Sequence, residues 1–393
     1  MAELKLISVK KETDNSLSCC GSDAMTPRAK STSRTSCGQE LRQEQSKWIV
    51  GVTTTPGGEV PKVSGDWTRK DYWEHIKCRT SSFRNNYTIN PGLYAIGNPV
   101  ANSDIIATAN YKYSFDIVRR ELKGFNLWIL VLDTKGINVW CAAGKGTFGT
   151  EELVGRINAV KLSEVVDHKR VIVPQLGASG VSGYQVSRAT GFKVFFGPIC
   201  AKDIPDFILA GYKAEPAMRI MRFPVKDRLI LTPMEINPAM KKFPLFALTV
   251  LVIFGLHPEG IFFADALFNG LPFLVLGLAA ILSGTFLTPT LLPLIPFRSF
   301  AIKGWIAGMI TVSLVMKVYG VPDGTDTLLT ALAYLFFPMA SSYWALQFTG
   351  SSTYTSMSGV KKEMKIAIPV YIGSLIITGI LIILYKLNHW GLL

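Results

Sequence analysis

The segment LWILVLDTKGINVWCAAGKG, residues 127–146, decides the fold of the polar part of the chain. It begins with the continuous apolar run LWILVLD, which is typical of a strand covered on both faces of a sheet. In its second half, NVWCAAGKG, we expect Asn138 to cap a short helix that begins near Trp140 and carries Cys141 in its first turn. Since parallel sheets bind ligands beyond the carboxyl ends of their strands, Cys141 lies where a site is expected.

Other apolar runs alternate with polar helical stretches from about residue 90 onward. We predict further strands at GLYAIG (92–97), DIIATAN (104–110), RVIVPQ (170–175), KVFFGP (193–198) and RLILTP (228–233), and helices at 113–122, 149–166 and 202–211. This alternation predicts a Rossmann-like α/β domain with a mostly parallel sheet over residues 88–235.

Composition divides the 393-residue chain into three parts. Residues 1–70 are polar and rich in Ser, Thr and Lys, so we expect a disordered or weakly ordered tail before the α/β domain. Residues 236–393 are predicted to form an all-α transmembrane domain, because a bilayer span needs about 20 apolar residues. Its five helices are expected at 244–263, 268–288, 299–319, 327–347 and 366–386.

Charged residues between the apolar spans predict their orientation. The basic ones are Lys241, Lys242, Arg298, Lys303, Lys361, Lys362 and Lys365, and the acidic ones in the alternate connections are Glu259, Asp265, Asp323 and Asp326. The positive-inside rule then places the α/β domain in the cytoplasm and the C-terminus outside, with Lys317 as an exception. The same rule accounts for the formal charge of +13 better than nucleic-acid binding does. Because the spans hold few ionisable residues, they favour an anchor or partner-docking domain over a transport path.

The six cysteines form no C-x-x-C pair, which iron–sulfur clusters and zinc ribbons use to gather several thiolates on one metal. We therefore expect neither kind of site, and scattered cysteines favour a reducing compartment over a disulfide framework. The N-terminus has no apolar segment typical of a cleaved signal peptide.

Four interpretations of Cys141 remain open on the residues alone. A phosphate loop is disfavoured because Lys145 is followed by Gly146 and not by Ser or Thr. A buried structural thiol is the commonest fate of a lone cysteine, although Gly144 and Gly146 indicate close approach of something flat. A catalytic nucleophile needs a histidine base, and His75, His168, His257 and His389 stand in no recognisable motif. A metal-binding thiolate suits the first turn of a helix, where the thiol pKa falls.

The motif N-V-W-C-A-A-G-K closely resembles the signature of the HgcA family, the corrinoid proteins of microbial mercury methylation. ATANYKYSFD (107–116) and TGSSTYTSMSGVKKEMK (349–365) are also similar to stretches of that family, and so is the order of an α/β domain followed by five spans. The resemblance covers roughly residues 88–393. The α/β domain is also similar to that of the corrinoid iron–sulfur protein of the acetyl-CoA pathway, but the cluster-binding cysteines of that protein are missing.

The resemblance implies a methyltransferase in which the Cys141 thiolate is the lower axial ligand of a corrinoid cobalt and the methyl group passes to Hg(II). The more familiar cobalamin motif D-x-H-x-x-G is absent, since Val166 stands two residues before His168. The cofactor contacts expected with Cys141 are Thr108, Asn110 and Ser114 on one wall and Asn138, Val139, Trp140, Ala142, Ala143, Gly144, Lys145 and Gly146 on the other. The loops at 175–183 and 195–199 are weaker candidates for contacts with the nucleotide tail of the corrinoid.

The resemblance also implies partners and a location. The expected reductant, and candidate Hg(II) donor, is HgcB, a small ferredoxin with two [4Fe–4S] clusters, and the expected methyl donor is of the methyl-tetrahydrofolate type. The location implied is a bacterial or archaeal cytoplasmic membrane, with lipid as a further partner and no nucleic acid. Two alternatives stay open: a membrane-anchored methyl carrier with another acceptor, and a corrinoid-binding module of a transporter.

Overall fold

The computed structural model describes residues 47–319, 327–351, 354–355 and 357–392. The predicted tail over residues 1–70 is wrong at its C-terminal end, because strands β1 (Ile49–Thr55) and β2 (Gly58–Val63) form a hairpin there and helix α1 (Arg69–Thr80) begins directly after it. Val60 and Val63 explain the difference, since these branched side chains are buried against the sheet. Residues 1–46, with Cys19, Cys20 and Cys37, lie outside the described residues.

Within the described residues, seven strands form one sheet in the order β1-β2-β3-β5-β4-β6-β7. The strands after the hairpin are β3 (Gly92–Ile96), β4 (Ile105–Ala109), β5 (Leu127–Leu132), β6 (Arg170–Val173) and β7 (Lys193–Phe196). β5, β4, β6 and β7 are mutually parallel, and β3 pairs antiparallel with β5. The predicted sheet is confirmed for these five strands, and the hairpin extends it at one edge.

Helices cover both faces of the sheet. They are α2 (Lys112–Glu121), α3 (Val139–Lys145), α4 (Thr150–Ala159), α5 (Leu162–Val165), α6 (Gly183–Thr190) and α7 (Ile204–Leu209). α2 and α7 pack on one face with Ile106, Ile129 and Val131, while α3 to α6 pack on the other with Ala107 and Leu130. The predicted helix at 149–166 is two helices, because Lys161 between them has a left-handed φ of 47°.

The strand predicted at 228–233 is wrong. These residues lie in α8 (Val225–Gly255), a helix of 31 residues that leads into the apolar region. A short apolar run has the same composition in a strand and in a buried helix. In residues 228–233 the spacing of the buried positions is that of a helix. Arg228 and Thr232, four residues apart, are both buried on the same side of α8.

Five helices among the described residues are long and apolar enough to cross a membrane. After α8 the chain forms a small hairpin, β8 (Leu256–His257) and β9 (Gly260–Ile261), and continues through α9 (Phe263–Leu282), a π-helical turn (Ser283–Leu287), α10 (Thr288–Thr290), α11 (Phe300–Tyr319), α12 (Thr327–Gln347) and α13 (Met357–His389). The expected number of spans agrees with this. The first span ends earlier than predicted, because Gly255 is followed by the hairpin.

A buried cluster of charges joins α1 to α2. Asp116 on α2 is fully buried, and its Oδ2 accepts hydrogen bonds from Lys112 Nζ at 2.7 Å and Tyr87 OH at 2.9 Å. Its Oδ1 accepts from Arg119 Nε at 2.8 Å, and Arg119 Nη1 continues to the carbonyl oxygen of Ser64. Burial raises the pKa of Asp116, but its hydrogen bond with His75 and the charges of Lys112 and Arg119 hold the pKa at about 2.

We predict that Asp116→Asn lowers the free energy of unfolding by about 3–5 kcal/mol, because Lys112 and Arg119 lose the fully buried carboxylate that they share. Their other ion pairs, with Asp71 and for Lys112 also with Glu74, remain. Asp66→Asn is the matched control, since the ion pair of Asp66 with Lys123 is exposed and such a pair contributes about 0–1 kcal/mol. Thermal unfolding of the full chain in detergent measures both variants. Equal losses in the two would contradict the assigned role of the cluster.

The difference in the free energy of unfolding between wild type and Asp116→Asn should depend on pH. The pKa of Asp116 lies below its ordinary value of 3.8, so its stabilisation is complete above about pH 4. It is lost as the pH falls through about 2. The difference between wild type and Asp116→Asn should therefore shrink across this range and stay constant near neutral pH.

Candidate functional site

The candidate site lies at the carboxyl edge of the parallel strands, as the sequence predicted. α3 follows β5 and packs against the short turn Gln175–Gly177 that follows β6, so it crosses the end of β4, which lies between these two strands. Connections from β4 and β6 leave the sheet on opposite faces, toward α2 and α6. α3 therefore bridges the switch point at which sheets of this kind bind ligands.

The predicted cap of α3 is confirmed. Asn138 Oδ1 accepts a hydrogen bond at 2.9 Å from the backbone N–H of Cys141, which places Cys141 in the first helical turn. At the other end Gly146 closes the helix with a left-handed φ of 80°, and its N–H bonds to the carbonyl of Ala143. Gly146 thus has a local structural role that explains its presence without a ligand.

α3 has one face in the core and one open face. Val139, Ala142 and Ala143 are at most 9% exposed and belong to the core beside the sheet. They do not lie on the open side, contrary to the expectation that a flat ligand packs against them. The reason is helical spacing, because positions i, i+3 and i+4 share a face and here that face covers the sheet.

The open face carries Trp140, Cys141, Gly144 and Lys145. Trp140 is 40% exposed, Cys141 is half-buried, and Gly144 and Lys145 are exposed. A methyl group added at Gly144 would meet no protein atom within 4 Å. Gly144 stands one turn after Cys141, so no side chain projects from the next turn of this face.

A glycine-rich loop supports α3 from the β6 side. A Cβ at Gly180 would stand 2.2 Å from the carbonyl oxygen of Phe148 and 3.2 Å from Cα of Ala143. At Gly177 it would stand 2.5 Å from the Phe148 ring. The loop at 175–183, predicted to contact the nucleotide tail, therefore holds the helix by backbone contact, which requires glycine at these two positions.

Asn110 ties the end of β4 to the loop before α3. Its Oδ1 accepts hydrogen bonds from Thr134 N at 3.0 Å, Thr134 Oγ1 at 2.9 Å and Gly136 N at 2.9 Å. Its Nδ2 donates to Asp133 Oδ1 at 3.2 Å. The side chain was expected on a ligand wall, but all of these bonds go to the protein, so Asn110 is a positioning residue for the Cys141 helix.

Carboxylates complete the support of this loop. Glu152 on α4 accepts a hydrogen bond at 2.8 Å from the backbone N–H of Asp133, and Arg156 holds Glu152 by a pair of bonds. The hydrogen bond from Lys135 lowers the pKa of Asp133. Sequence analysis missed these residues, although the turn-forming stretch Asp133 to Gly136 was a signal for them.

The other predicted contacts are Thr108, Ser114 and the loop 195–199. Thr108 is buried in β4 on the α2 side of the sheet, because its neighbours Ala107 and Ala109 belong to the α3 side. Ser114 is half-buried in the first turn of α2. The second loop, 195–199, follows β7, and its Pro198 carbonyl accepts a bond from Gln175 N, which joins it to the first loop.

The two histidines of the α/β part, His75 and His168, form contacts away from Cys141. His75 contacts Asp116 and stacks on Tyr113, while His168 contacts the carbonyl of Ser103, which precedes β4 at the opposite edge of the sheet. Burial raises the pKa of Cys78 to about 11 and also raises that of Cys200. Among the described residues no group of three or more His, Cys, Asp or Glu could hold a metal ion.

The α/β part of the chain matches a known family. Residues 81–208 match the model CdhD, described as the CO dehydrogenase/acetyl-CoA synthase delta subunit. This segment runs from the end of α1 into α7 and includes the five central strands, the Cys141 helix and the loop that supports it. The match covers the domain that carries the candidate site and does not extend into the apolar helices.

Curated relatives agree with this match. The acetyl-CoA decarbonylase/synthase complex subunit gamma of Methanopyrus kandleri is 30% identical over 134 residues, which are 34% of this chain and 29% of the relative. The subunit of the same name from Methanocaldococcus jannaschii is 30% identical over 35% of this chain and 30% of its own length. The Archaeoglobus fulgidus subunit is 28% identical, over 35% of this chain and 36% of its own length. The chain thus spans about a third of the length of these relatives.

We predict that Asn110→Ala loosens the loop before α3, because it removes four hydrogen bonds and leaves the backbone amides of Thr134 and Gly136 without their acceptor. The expected cost is about 1–3 kcal/mol, concentrated in residues 133–146. Hydrogen exchange of peptides from this segment measures the effect.

Asn126→Ala is the matched control for this prediction. Asn126 Oδ1 accepts a bond from Asn98 N at the amino edge of the sheet, away from α3. Exchange at 133–146 should rise in Asn110→Ala and stay unchanged in Asn126→Ala. Unchanged exchange in both would show that Asn110 does not position the loop.

Proposed function

We propose that this chain is a membrane-anchored, corrinoid-dependent methyltransferase in which the Cys141 thiolate is the lower axial ligand of cobalt. The observation that carries the proposal is the open face of α3 at the carboxyl edge of the sheet. There Cys141 stands in the first turn of a capped helix, with only a glycine one turn farther along. The family match of residues 81–208 to a subunit of acetyl-CoA synthase supports a role in one-carbon chemistry.

The residues on this face fit a large planar cofactor. Gly144 leaves space where any other residue would project a side chain, and Trp140 offers an exposed indole at the edge of the same surface. The amides of the first turn and the helix dipole favour the thiolate form of Cys141. Lys145 is exposed on this face and can meet a polar substituent of the cofactor.

The chain itself contributes binding, orientation and a charge to the reaction. Cys141 would hold the corrinoid through its metal. When bound, the corrinoid would supply a methyl group, and a thiolate ligand would raise electron density at the metal, which would favour methyl transfer to a soft electrophile such as Hg(II). Cys141 holds the negative charge, and Asn138 fixes its backbone amide at 2.9 Å. Asn110 and the Gly177–Gly180 turn keep the thiol at a constant height above the sheet.

We propose Hg(II) as the methyl acceptor and a methyl-tetrahydrofolate-type compound as the methyl source, on the resemblance of the N-V-W-C-A-A-G-K motif. The proposed reductant, and Hg(II) donor, is a small ferredoxin with two [4Fe–4S] clusters. Support for a protein partner comes from the relatives, which are named as subunits of a complex. A membrane-anchored methyl carrier with another acceptor uses the same site and is the second candidate.

We propose that the five apolar helices insert into the cytoplasmic membrane. Their outer surfaces carry large apolar side chains that are more than half exposed, which suits contact with lipid. Examples are Leu245, Leu248, Phe268, Leu314, Ile372 and Leu375. The basic residues between alternate spans then place the α/β part in the cytoplasm.

An anchor fits the charged groups of this region better than a transport path does. Lys386 Nζ bonds to the carbonyl oxygen of Leu256 at the end of α8, while Arg228 and Lys303 bond to carbonyl oxygens of residues 289–292 at the end of α10. Each of these buried cations therefore neutralises the C-terminal end of a helix. These contacts account for the three buried cations without a transported ion as their partner.

We predict that Cys141→Ala abolishes methyl transfer to Hg(II) in the corrinoid-loaded chain and changes its absorption spectrum, because the axial sulfur is lost. Cys200→Ala is the matched control, since Cys200 is also half-buried and follows β7 at the same edge of the sheet. It should keep both activity and spectrum. Full activity in Cys141→Ala would refute the assigned ligand.

We predict that Gly144→Ala weakens corrinoid binding by about tenfold, which is about 1.4 kcal/mol, because its methyl group projects into the cofactor space. Gly155→Ala on α4 is the matched control, because a Cβ there also meets no atom within 4 Å. Either alanine stabilises its helix by up to about 1 kcal/mol, so weaker binding cannot come from unfolding. Titration with a cobalamin measures both, and equal affinities would place the cofactor elsewhere.

A further inference from the structure

Helix α1 carries an exposed aromatic and aliphatic stripe that the proposed reaction does not use. Tyr72, Trp73 and Ile76 are 55%, 58% and 50% exposed, and their helical spacing places them on one side of α1. The opposite side of α1 is anchored in the protein, with Asp71, His75 and Cys78 buried. Clusters of large exposed apolar side chains on an otherwise well-packed helix mark interaction surfaces.

The position of α1 along α8 points to the partner. α1 packs against α8, and Arg84, shortly after α1, has its Nη1 3.5 Å from Met234 Sδ on α8. Met234 precedes Lys241 by seven residues, which is about 10 Å along a helix axis. Lys241 and Lys242 mark the cytoplasmic end of the apolar part of α8. This distance along the axis of α8 places α1 at the depth of the lipid headgroups.

The charges around the stripe are those of a membrane interface. Arg69, Lys70 and Lys77 are exposed beside it, and Lys77 Nζ stands 6.0 Å from the centre of the Trp73 ring. The acidic Asp71 is buried and bonded to Thr68, so it does not offset them at the surface. Glu74 forms an ion pair with Lys70 at 3.7 Å, which leaves Arg69 and Lys77 as the uncompensated cations beside the stripe. Tryptophan and tyrosine beside lysine and arginine are enriched where proteins meet the anionic cytoplasmic leaflet.

A cleft between α1 and α2 opens beside the stripe. Its volume is about 240 Å³ and its walls include Tyr72, Ile76, Ile117, Arg79 and Arg120. Arg120 is paired with Glu121. Apolar walls with the cationic side chain of Arg79 suit the phosphate and glycerol end of a lipid. The cleft thus extends the stripe into one continuous surface of the same chemistry.

We propose that the outward face of α1 docks on the cytoplasmic leaflet, with Tyr72, Trp73 and Ile76 inserted among the headgroups of anionic phospholipids. The proposal rests on the membrane insertion proposed above. It gives the α/β domain a second attachment to the bilayer besides α8, and so fixes the direction in which the open face of α3 points. A soluble protein partner on this face is the competing occupant.

Fluorescence quenching by lipid tests the proposal on the full chain in nanodiscs. The lipids carry bromine in the acyl chain near the headgroup, and the contribution of one tryptophan is the difference between wild type and its Phe variant. We expect the Trp73→Phe difference to reveal strong quenching of Trp73. Trp305→Phe reports insertion independently, because Trp305 is 39% exposed on α11.

The matched control is Tyr184→Trp in a Trp73→Phe background. Tyr184 is 75% exposed on α6, on the other face of the sheet, so an indole there should escape quenching. Quenching of Trp305 without quenching of Trp73 overturns the docking proposal while insertion stands, and leaves the α1 face to a protein partner. Absence of quenching at both positions refutes insertion itself.

The lipid composition tests the charge argument. Anionic lipid should increase quenching of Trp73 by about twofold over purely zwitterionic nanodiscs, because two uncompensated basic side chains, Arg69 and Lys77, border the stripe. Arg69→Gln combined with Lys77→Gln should remove that increase. Equal quenching in both lipids for the wild type would contradict recognition of anionic headgroups.

Discussion

The candidate site depends on the hydrogen bonds between the side-chain amide of Asn110 and the loop before α3. The amide oxygen accepts bonds from the backbone of Thr134 and Gly136 and from the Thr134 hydroxyl, so the ends of β4 and β5 are joined at the loop before α3. Without these hydrogen bonds the loop between β5 and α3 would be mobile. Asn138 would then not hold the start of α3 in a fixed position. The Gly177–Gly180 turn closes the arrangement from the β6 side, because only glycine allows its backbone to reach Phe148 and Ala143.

The sequence was sufficient for those parts of the fold in which local pattern and tertiary environment agree. Strands β3 to β7 were predicted because continuous apolar runs suit a sheet covered on both faces, and the Asn138 cap because an amide before a helix has one dominant role. The pattern failed at residues 228–233, where a buried helix and a strand have similar composition. It failed at residues 47–63 because a polar, threonine-rich hairpin becomes a strand pair only when it meets the edge of an existing sheet.

The site shows the same division. The Cys141 helix was located by its motif, but the direction of its faces depends on the sheet beneath it, so Val139, Ala142 and Ala143 were placed on the wrong side. The charge cluster of Asp116 escaped prediction because its members come from α1, α2 and the segment between them, and only folding brings them together. The open face carries Trp140, Cys141, Gly144 and Lys145, which is a smaller set than the cofactor contacts predicted from the sequence. It offers a thiol, a position without a side chain, an exposed ring and an exposed amine.

X-ray absorption at the cobalt edge of the corrinoid-loaded full chain shows directly whether Cys141 binds the metal. We expect a sulfur atom in the first coordination shell of cobalt that disappears when Cys141 is replaced by Ala and persists when Cys200 is replaced. A shell of nitrogen and oxygen alone in the wild-type chain would contradict the account and return Cys141 to the role of a half-buried structural thiol.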